Sequence, residues 1–307
     1  MVLILELKTT QTAAIKILTD TLNSLLSDVN FVFRPMYYDD ESDESNTNYD
    51  ENSDSESENV ETIKLLSDNK KEKKLGGVII KEINKTGTIL VYTKLDADKF
   101  DVYTYNYNKK KLTIGLNLNN LLKCLKCMSH FDTITMQVDS EDMNKLVIIL
   151  ESTERKEKKI FKLNLMDLKE EKYEVEPIDF PYSITLPSQD FHKYCKDMAS
   201  ATDKIELMCT NNKVIFSGNG ELGQVEFEVG ETNGGLCIEV NSNCSDEIVQ
   251  GLFELRFLII FTKCTNLCST VTLYLKNDYP LIVQYNIAAL GTIKLVLSPS
   301  KPSDKYS

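Results

Sequence analysis

Leu118, Leu121, Leu122, Lys126 and Cys127 recur at one constant offset as Leu255, Leu258, Ile259, Lys263 and Cys264. Each half of the chain also opens with a strand-like run that feeds a helix-like one. This is a weak internal repeat, with two helices and a set of strands per half. A chain of 307 residues is long enough to build such a core twice. Between the copies lies Lys169–Pro181 (KEEKYEVEPIDFP), a polar, proline-punctuated linker. The expected organisation is therefore α+β: a first domain over 1–165, a connector over 166–182 and a similar second domain over 183–307.

Apolar periodicity places four helices. The first covers about Thr12–Ser27, with Ile15, Leu18, Leu22 and Leu25 on one stripe; the second covers about Asn117–Met128, with Leu118, Leu121, Leu122 and Leu125 inward. The third follows Pro187, with Ser188 as the expected N-cap and Phe191, Cys195 and Met198 inward. The fourth runs about Leu255–Lys263. Most of the remainder alternates like strands, among them Thr133–Val138, Lys145–Leu150, Ile160–Leu165, Lys213–Ser217, Gln224–Val229 and Leu281–Tyr285.

The net charge of −12 is unevenly spread. Residues 39–58 hold ten carboxylates and neither Lys nor Arg, which leaves the remaining chain at −2. Rich in Ser, Asn and Asp and without apolar periodicity, this stretch cannot bury enough surface to offset its ordering entropy, so a loop is expected over about 39–74. It reads either as a tolerated surface insertion or as an acidic regulatory segment. No apolar run is long enough to span a bilayer, and Met1–Glu6 lacks the basic start of a secretory signal. Eight cysteines in such a chain are expected as reduced thiols, and the protein as intracellular.

Beside the apolar stripes, the helices carry cations: Lys16 on the first, Lys123 and Lys126 on the second, Lys193 and Lys196 on the third, Arg256 and Lys263 on the fourth. Asp20, Asp190 and Asp197 are the acidic exceptions. Solvated faces and a polyanion-binding face both fit this pattern. Phosphate contact would be insensitive to sequence, because no base-reading motif accompanies the cations. Gly218, Gly220 and Gly223 spell G-x-G-x-x-G, but an alternating strand pattern follows where a dinucleotide site needs a helix, so a hairpin turn is expected. Cys124-x-x-Cys127 lies mid-helix, and both it and Cys264-x-x-x-Cys268 are read as buried structural thiols; an enzyme using these clusters with a metal is the rival from another class. His130 and His192 lack a nucleophile partner pattern, and no catalytic constellation, metal site or cofactor is expected. Residues 155–162 (RKEKKIFK) are basic, whereas Glu221, Glu226, Glu228 and Glu231 make 221–231 acidic. Two edges of unlike sign favour head-to-tail association; two unrelated solvated strands are the other reading.

Leu255–Leu273 (LRFLIIFTKCTNLCSTVTL), Gly218–Gly223 (GNGELG), Leu163–Leu168 (LNLMDL), Gly115–Cys127 (GLNLNNLLKCLKC) and Ile287–Pro299 (IAALGTIKLVLSP) closely resemble stretches of the proliferating cell nuclear antigen family of DNA sliding clamps. The likeness covers nearly the whole chain outside about 39–75. It implies a ring of three subunits, each with two domains, with the helices lining a pore and the sheets outside. Such a clamp is a non-catalytic processivity factor that encircles duplex DNA at nuclear or other sites of replication. The resemblance implies that Lys16, Lys123, Lys126, Lys193, Lys196, Arg256 and Lys263 face DNA. It implies that Lys159, Phe161 and Lys162 on one strand, and Val225, Glu226, Phe227 and Glu228 on another, form the subunit interface. Ile83, Leu90, Pro280, Val296, Ser298 and Pro299, with Tyr173 or Val175 from the connector, match a pocket for the PIP-box peptides of polymerase, clamp loader, flap endonuclease and ligase. The acidic stretch is not a family feature, Ser298 stands where alanine is usual, and Asn211 stands at the lysine that eukaryotic members modify with ubiquitin. A subunit of a heteromeric clamp and a monomeric polymerase accessory protein are the alternatives within the class.

Overall fold

The computed structural model describes residues 2–38, 74–128, 132–170, 178–221, 223–241 and 248–300. The first half runs β1 (Leu3–Thr9), α1 (Thr12–Leu25), β2 (Asp28–Tyr38), β3 (Lys74–Ile83), β4 (Ile89–Asp96), β5 (Val102–Tyr105), β6 (Leu112–Asn117), α2 (Leu118–Leu125), β7 (Thr133–Asp139), β8 (Asp142–Ser152) and β9 (Glu157–Asn164). The second runs β10 (Tyr182–Pro187), α3 (Ser188–Ala199), β11 (Lys204–Cys209), β12 (Lys213–Gly220), β13 (Gly223–Gly230), β14 (Cys237–Val240), β15 (Val249–Glu254), α4 (Leu255–Phe261), β16 (Thr270–Leu275), β17 (Leu281–Ile287) and β18 (Gly291–Leu297). The loop expected over 39–74 lies outside the described residues except for Lys74, which begins β3.

The sheets turn the sequence repeat into a structural one. One sheet has the order β5-β1-β7-β8-β9, and another has β13-β12-β11-β15. The third, of nine strands, is β14-β10-β16-β17-β18-β4-β3-β2-β6. Its first five strands match the five-stranded sheet strand for strand, and its last four match the four-stranded one. The two halves thus form the same pair of sheets, fused where β18 pairs antiparallel with β4 from Gly291↔Leu95 to Leu297↔Ile89. Cutting the chain at the connector therefore does not divide its sheets. At this seam Ile293, Leu295, Leu297, Ile89, Val91 and Leu95 are buried, each contributing about 1.5–3 kcal/mol of apolar transfer.

The helices lie where their stripes direct them. Leu118, Leu121, Leu122 and Leu125 are buried on α2, and Phe191, Cys195 and Met198 are fully buried on α3. α1 packs against α2, α3 against α4, and α1 also meets α4 across the halves. Two helices are shorter than their patterns suggest: α2 tightens to a 3-10 turn at Lys126–Met128, and α4 gives way to one at Thr262–Asn266. Ser188 is not the N-cap of α3. It is the helix's first residue, buried, and its hydroxyl is bonded to the carbonyls of Cys268 at 2.7 Å and Thr265 at 3.2 Å. The Asn117 side chain does cap α2, accepting from the Asn120 amide at 3.0 Å. The glycine triplet forms the hairpin of β12 and β13, with Gly220 paired to Gly223. A Cβ on Gly220 would run into the Ala201 carbonyl oxygen, a packing reason for the glycine that involves no nucleotide.

Candidate functional surfaces: a cationic helix layer, two edge strands and an apolar groove

Lys123, Lys126, Lys193, Lys196, Arg256 and Lys263 are exposed, and Lys16 is half-buried. Their chemistry differs. Lys16, Lys123, Lys126, Lys193 and Lys196 make no ion pair among the described residues. Arg256 stacks over the Phe257 ring at 4.6 Å, and its Nε lies 3.4 Å from Glu254. Lys263 donates to Ser24 Oγ at 2.7 Å and Asp20 Oδ2 at 3.1 Å. Lys263 therefore ties α4 to α1, a role the sequence reading missed because its partners sit on the first helix, at the far end of the sequence. His192 on α3 lies 2.9 Å from the Thr262 hydroxyl, holding α3 to the turn after α4; His130 is outside the described residues.

The cysteine pairs do not converge on a site. Cys124 is buried and Cys127 is exposed, while Cys264 is buried with its thiol 3.6 Å from the Thr21 hydroxyl. Among the described residues, no three His, Cys, Asp or Glu side chains gather as metal ligands. Burial pushes the Cys209 and Cys264 thiols up to about 12, so both stay protonated at neutral pH.

β9 and β13 are outer strands of their sheets. Lys158, Lys159 and Lys162 are exposed on β9 beside half-buried Phe161 and an Ile160 that is 55% exposed. On β13, exposed Glu226 and Glu228 alternate with half-buried Val225, Phe227 and Val229. Within the chain, Lys158 reaches Glu151 at 3.1 Å and Lys213 reaches Glu228 at 2.8 Å. Both pairs are solvent-exposed, so they hold their groups only weakly.

Along the seam, cross-strand pairing lines up Ile83, Leu90, Val296, Ile282 and Tyr274, one from each of five adjacent strands. A neighbouring row joins Lys81, Tyr92 and Lys294. These rows floor a groove of about 500 Å³, walled by Ile178, Phe180, Tyr279 and Pro280. Phe180 packs on Tyr274 and Tyr279 with ring centroids 5.8 and 6.5 Å apart. Burial raises the Tyr92 and Tyr274 hydroxyls above the usual tyrosine range, keeping them as donors in an apolar setting.

Of the pocket residues expected from sequence, Leu90, Pro280 and Val296 line this groove. Ile83 extends the row at its end without lining it. Ser298 and Pro299 are exposed beyond β18, and Tyr173 and Val175 lie outside the described residues. Phe180, Tyr92, Tyr274, Tyr279, Ile178 and Ile282 were missed. Alternation marks their faces, but only the strand order brings them together.

No helix among the described residues is long and apolar enough to cross a membrane. The family model for the N-terminal domain of proliferating cell nuclear antigen matches residues 58–172, and that for its C-terminal domain matches residues 174–300. A probable DNA polymerase sliding clamp of Acanthamoeba polyphaga mimivirus is 28% identical over 310 residues, an alignment covering 96% of this chain. The chain spans about 62% of the length of that relative.

Proposed function

The chain belongs to the proliferating cell nuclear antigen family, and from that premise we propose that it is a non-catalytic sliding clamp: a homotrimeric ring that encircles duplex DNA and tethers a polymerase and other replication and repair enzymes. The observation that carries the reading is the fused nine-stranded sheet. β9 holds in the first half the place that β18 holds in the second, and β13 holds in the second the place of β4 in the first. Since β18 pairs with β4 inside the chain, the same pairing between β9 of one copy and β13 of the next repeats the joint. A head-to-tail contact of this kind generates a ring where the rotation closes.

The transferred register is specific. Carrying Thr292↔Lys94 and Leu295↔Val91 onto the outer strands sets Lys158 opposite Glu228, and Phe161 opposite Val225, of the neighbouring copy. Opposite charges face each other across the new ladder, and apolar residues meet beneath it. The sites of association thus follow from the internal joint and agree with the charges of both strands.

In such a ring the cations of the helix layer face the enclosed duplex. Phosphate contacts carry no register, so they attract DNA without fixing it in place. The seam groove is the docking site of PIP-box peptides, whose aromatic anchors would settle against Leu90, Val296, Pro280 and the tyrosines. Polymerase, clamp loader, flap endonuclease and ligase are the partners in this reading, at sites of DNA replication. The test is retention on DNA: protein loaded onto a nicked circular plasmid should co-elute with it in high salt and be lost when the plasmid is linearised. Loss that does not depend on linearisation would contradict topological linkage.

A further inference from the structure

The seam groove is charged with one sign. The row beside its apolar floor runs Lys81, Tyr92, Lys294, Gln284 and Thr272, one residue from each of five adjacent strands. Of the described residues that line the groove, Lys81 and Lys294 carry charge and none is a carboxylate, although the chain holds 47 Asp and Glu against 35 Lys and Arg. Lys94, two residues along β4 from Tyr92, is tied to Asp96 at 3.1 Å. Asp179 and Glu239 belong to a separate hollow that shares only Ile178, Phe180 and Tyr274 with the groove.

We infer that Lys81, Tyr92 and Lys294 form an anion subsite of the groove, which selects docking peptides that carry a carboxylate beside their aromatic anchors. The inference rests on the peptide docking proposed above and adds the chemistry of the partner.

Three observations converge on it. Cross-strand pairing sets Lys81 and Lys294 on either side of Tyr92, with neighbouring Cβ atoms about 5 Å apart, so two ammonium groups and a hydroxyl can meet one carboxylate. All three residues are half-buried. A lysine stem can lie along such a floor while its ammonium stays at the wet rim, and Lys294 makes no ion pair among the described residues. Position is the third observation. Tyr92 stands two residues along β4 from Leu90, and Lys294 two residues along β18 from Val296, which puts the subsite about 7 Å from the apolar row. A side chain next to an anchor seated on Leu90 and Val296 reaches that far. There a carboxylate exchanges water for charged donors in a partly dry setting, where the attraction exceeds that of an open surface. A lysine or arginine at the same place in the peptide meets like charge and is rejected.

The test is a fluorescence polarisation titration with a PIP-box peptide made in matched pairs, Glu against Gln, at each position flanking the aromatic anchors. At one position the Glu peptide should bind the unaltered protein about three- to tenfold more tightly than its Gln partner, the range of a half-buried ion pair. Full-length Lys294→Gln should lose most of that advantage yet bind the Gln peptide as before, which shows that the groove is intact. Lys110→Gln, which removes a cation outside the groove, should keep the advantage. Equal binding of Glu and Gln peptides at every position would overturn the subsite and leave the docking groove standing. So would an advantage that survives Lys294→Gln combined with Lys81→Gln. Peptide binding that is absent altogether, or that survives Pro280→Glu, would overturn the docking reading and the subsite with it.

Discussion

The Lys263 ammonium lies 3.1 Å from the Asp20 carboxylate, joining a residue just past the last helix of the chain to the first helix across 243 positions of sequence. Between them the β18–β4 ladder and the helix layer form one two-tiered joint, strands outside and helices beneath. That joint sets the angle between the halves, and the ring proposed here is built by repeating it.

Both partners are nearly half exposed, with side-chain accessibilities of 43% and 48%, so the pair contributes no more than about 1 kcal/mol. Lys263→Glu, which sets two carboxylates against each other, is expected to lower the melting temperature by about 2–4 °C. Adding Asp20→Lys should return most of the loss. A melting temperature that does not move in Lys263→Glu would show that the pair does not hold the joint in solution.

The groove makes a separate prediction, because its floor is shared by strands of both halves but lies away from β9 and β13. Pro280→Glu should reduce binding of a PIP-box peptide by at least tenfold in a fluorescence polarisation titration, with native mass unchanged. Tyr92→Ala should weaken binding less, since it removes part of the floor and adds no buried charge. Full affinity in Pro280→Glu would place the peptide site elsewhere.

The groove also shows where sequence reasoning stops. The helical stripes were legible because 3.6-residue periodicity fixes a buried face without reference to any partner, and Leu118, Leu121, Leu122 and Leu125 are buried as that rule requires. The charges of β9 and β13 were legible for the same local reason. Alternation told which residues of β4, β16, β17 and β18 share a face, but not that Leu90, Val296, Ile282 and Tyr274 lie side by side. That depends on the pairing of β18 with β4, a contact between strands from opposite halves of the chain. Ser188 was misread because Ser after a strand and before an apolar stripe looks like an N-cap. Its hydroxyl is taken instead by carbonyls 77 and 80 positions away, which local pattern does not record.

Alkaline pH should destabilise the fold. Burial holds the Cys209 and Cys264 thiols near 12, whereas in the unfolded chain they ionise near 9. The unfolded state therefore releases these protons first. The stability they contribute is complete below about pH 9 and is lost as pH rises toward 12. Tyr105, pushed up to about 12 by burial, adds to the loss above its ordinary value near 10. The urea midpoint should fall between pH 8 and pH 10.5, and fall less in Cys209→Ala once its own lower starting value is subtracted. A midpoint constant across that range would contradict the burial of these groups.

The central claim is that the chain closes on itself through β9 and β13, and native mass tests it most directly. Light scattering at micromolar concentration should be run on the unaltered protein and on a variant with Lys158, Lys159 and Lys162 changed to Glu. The expected mass is about 105 kDa for the unaltered protein, three times the 34.9 kDa chain. In the variant it should fall toward the single-chain mass, because glutamates would face Glu226 and Glu228. A single-chain mass for the unaltered protein, or a trimer indifferent to the reversed charges, would contradict the claim.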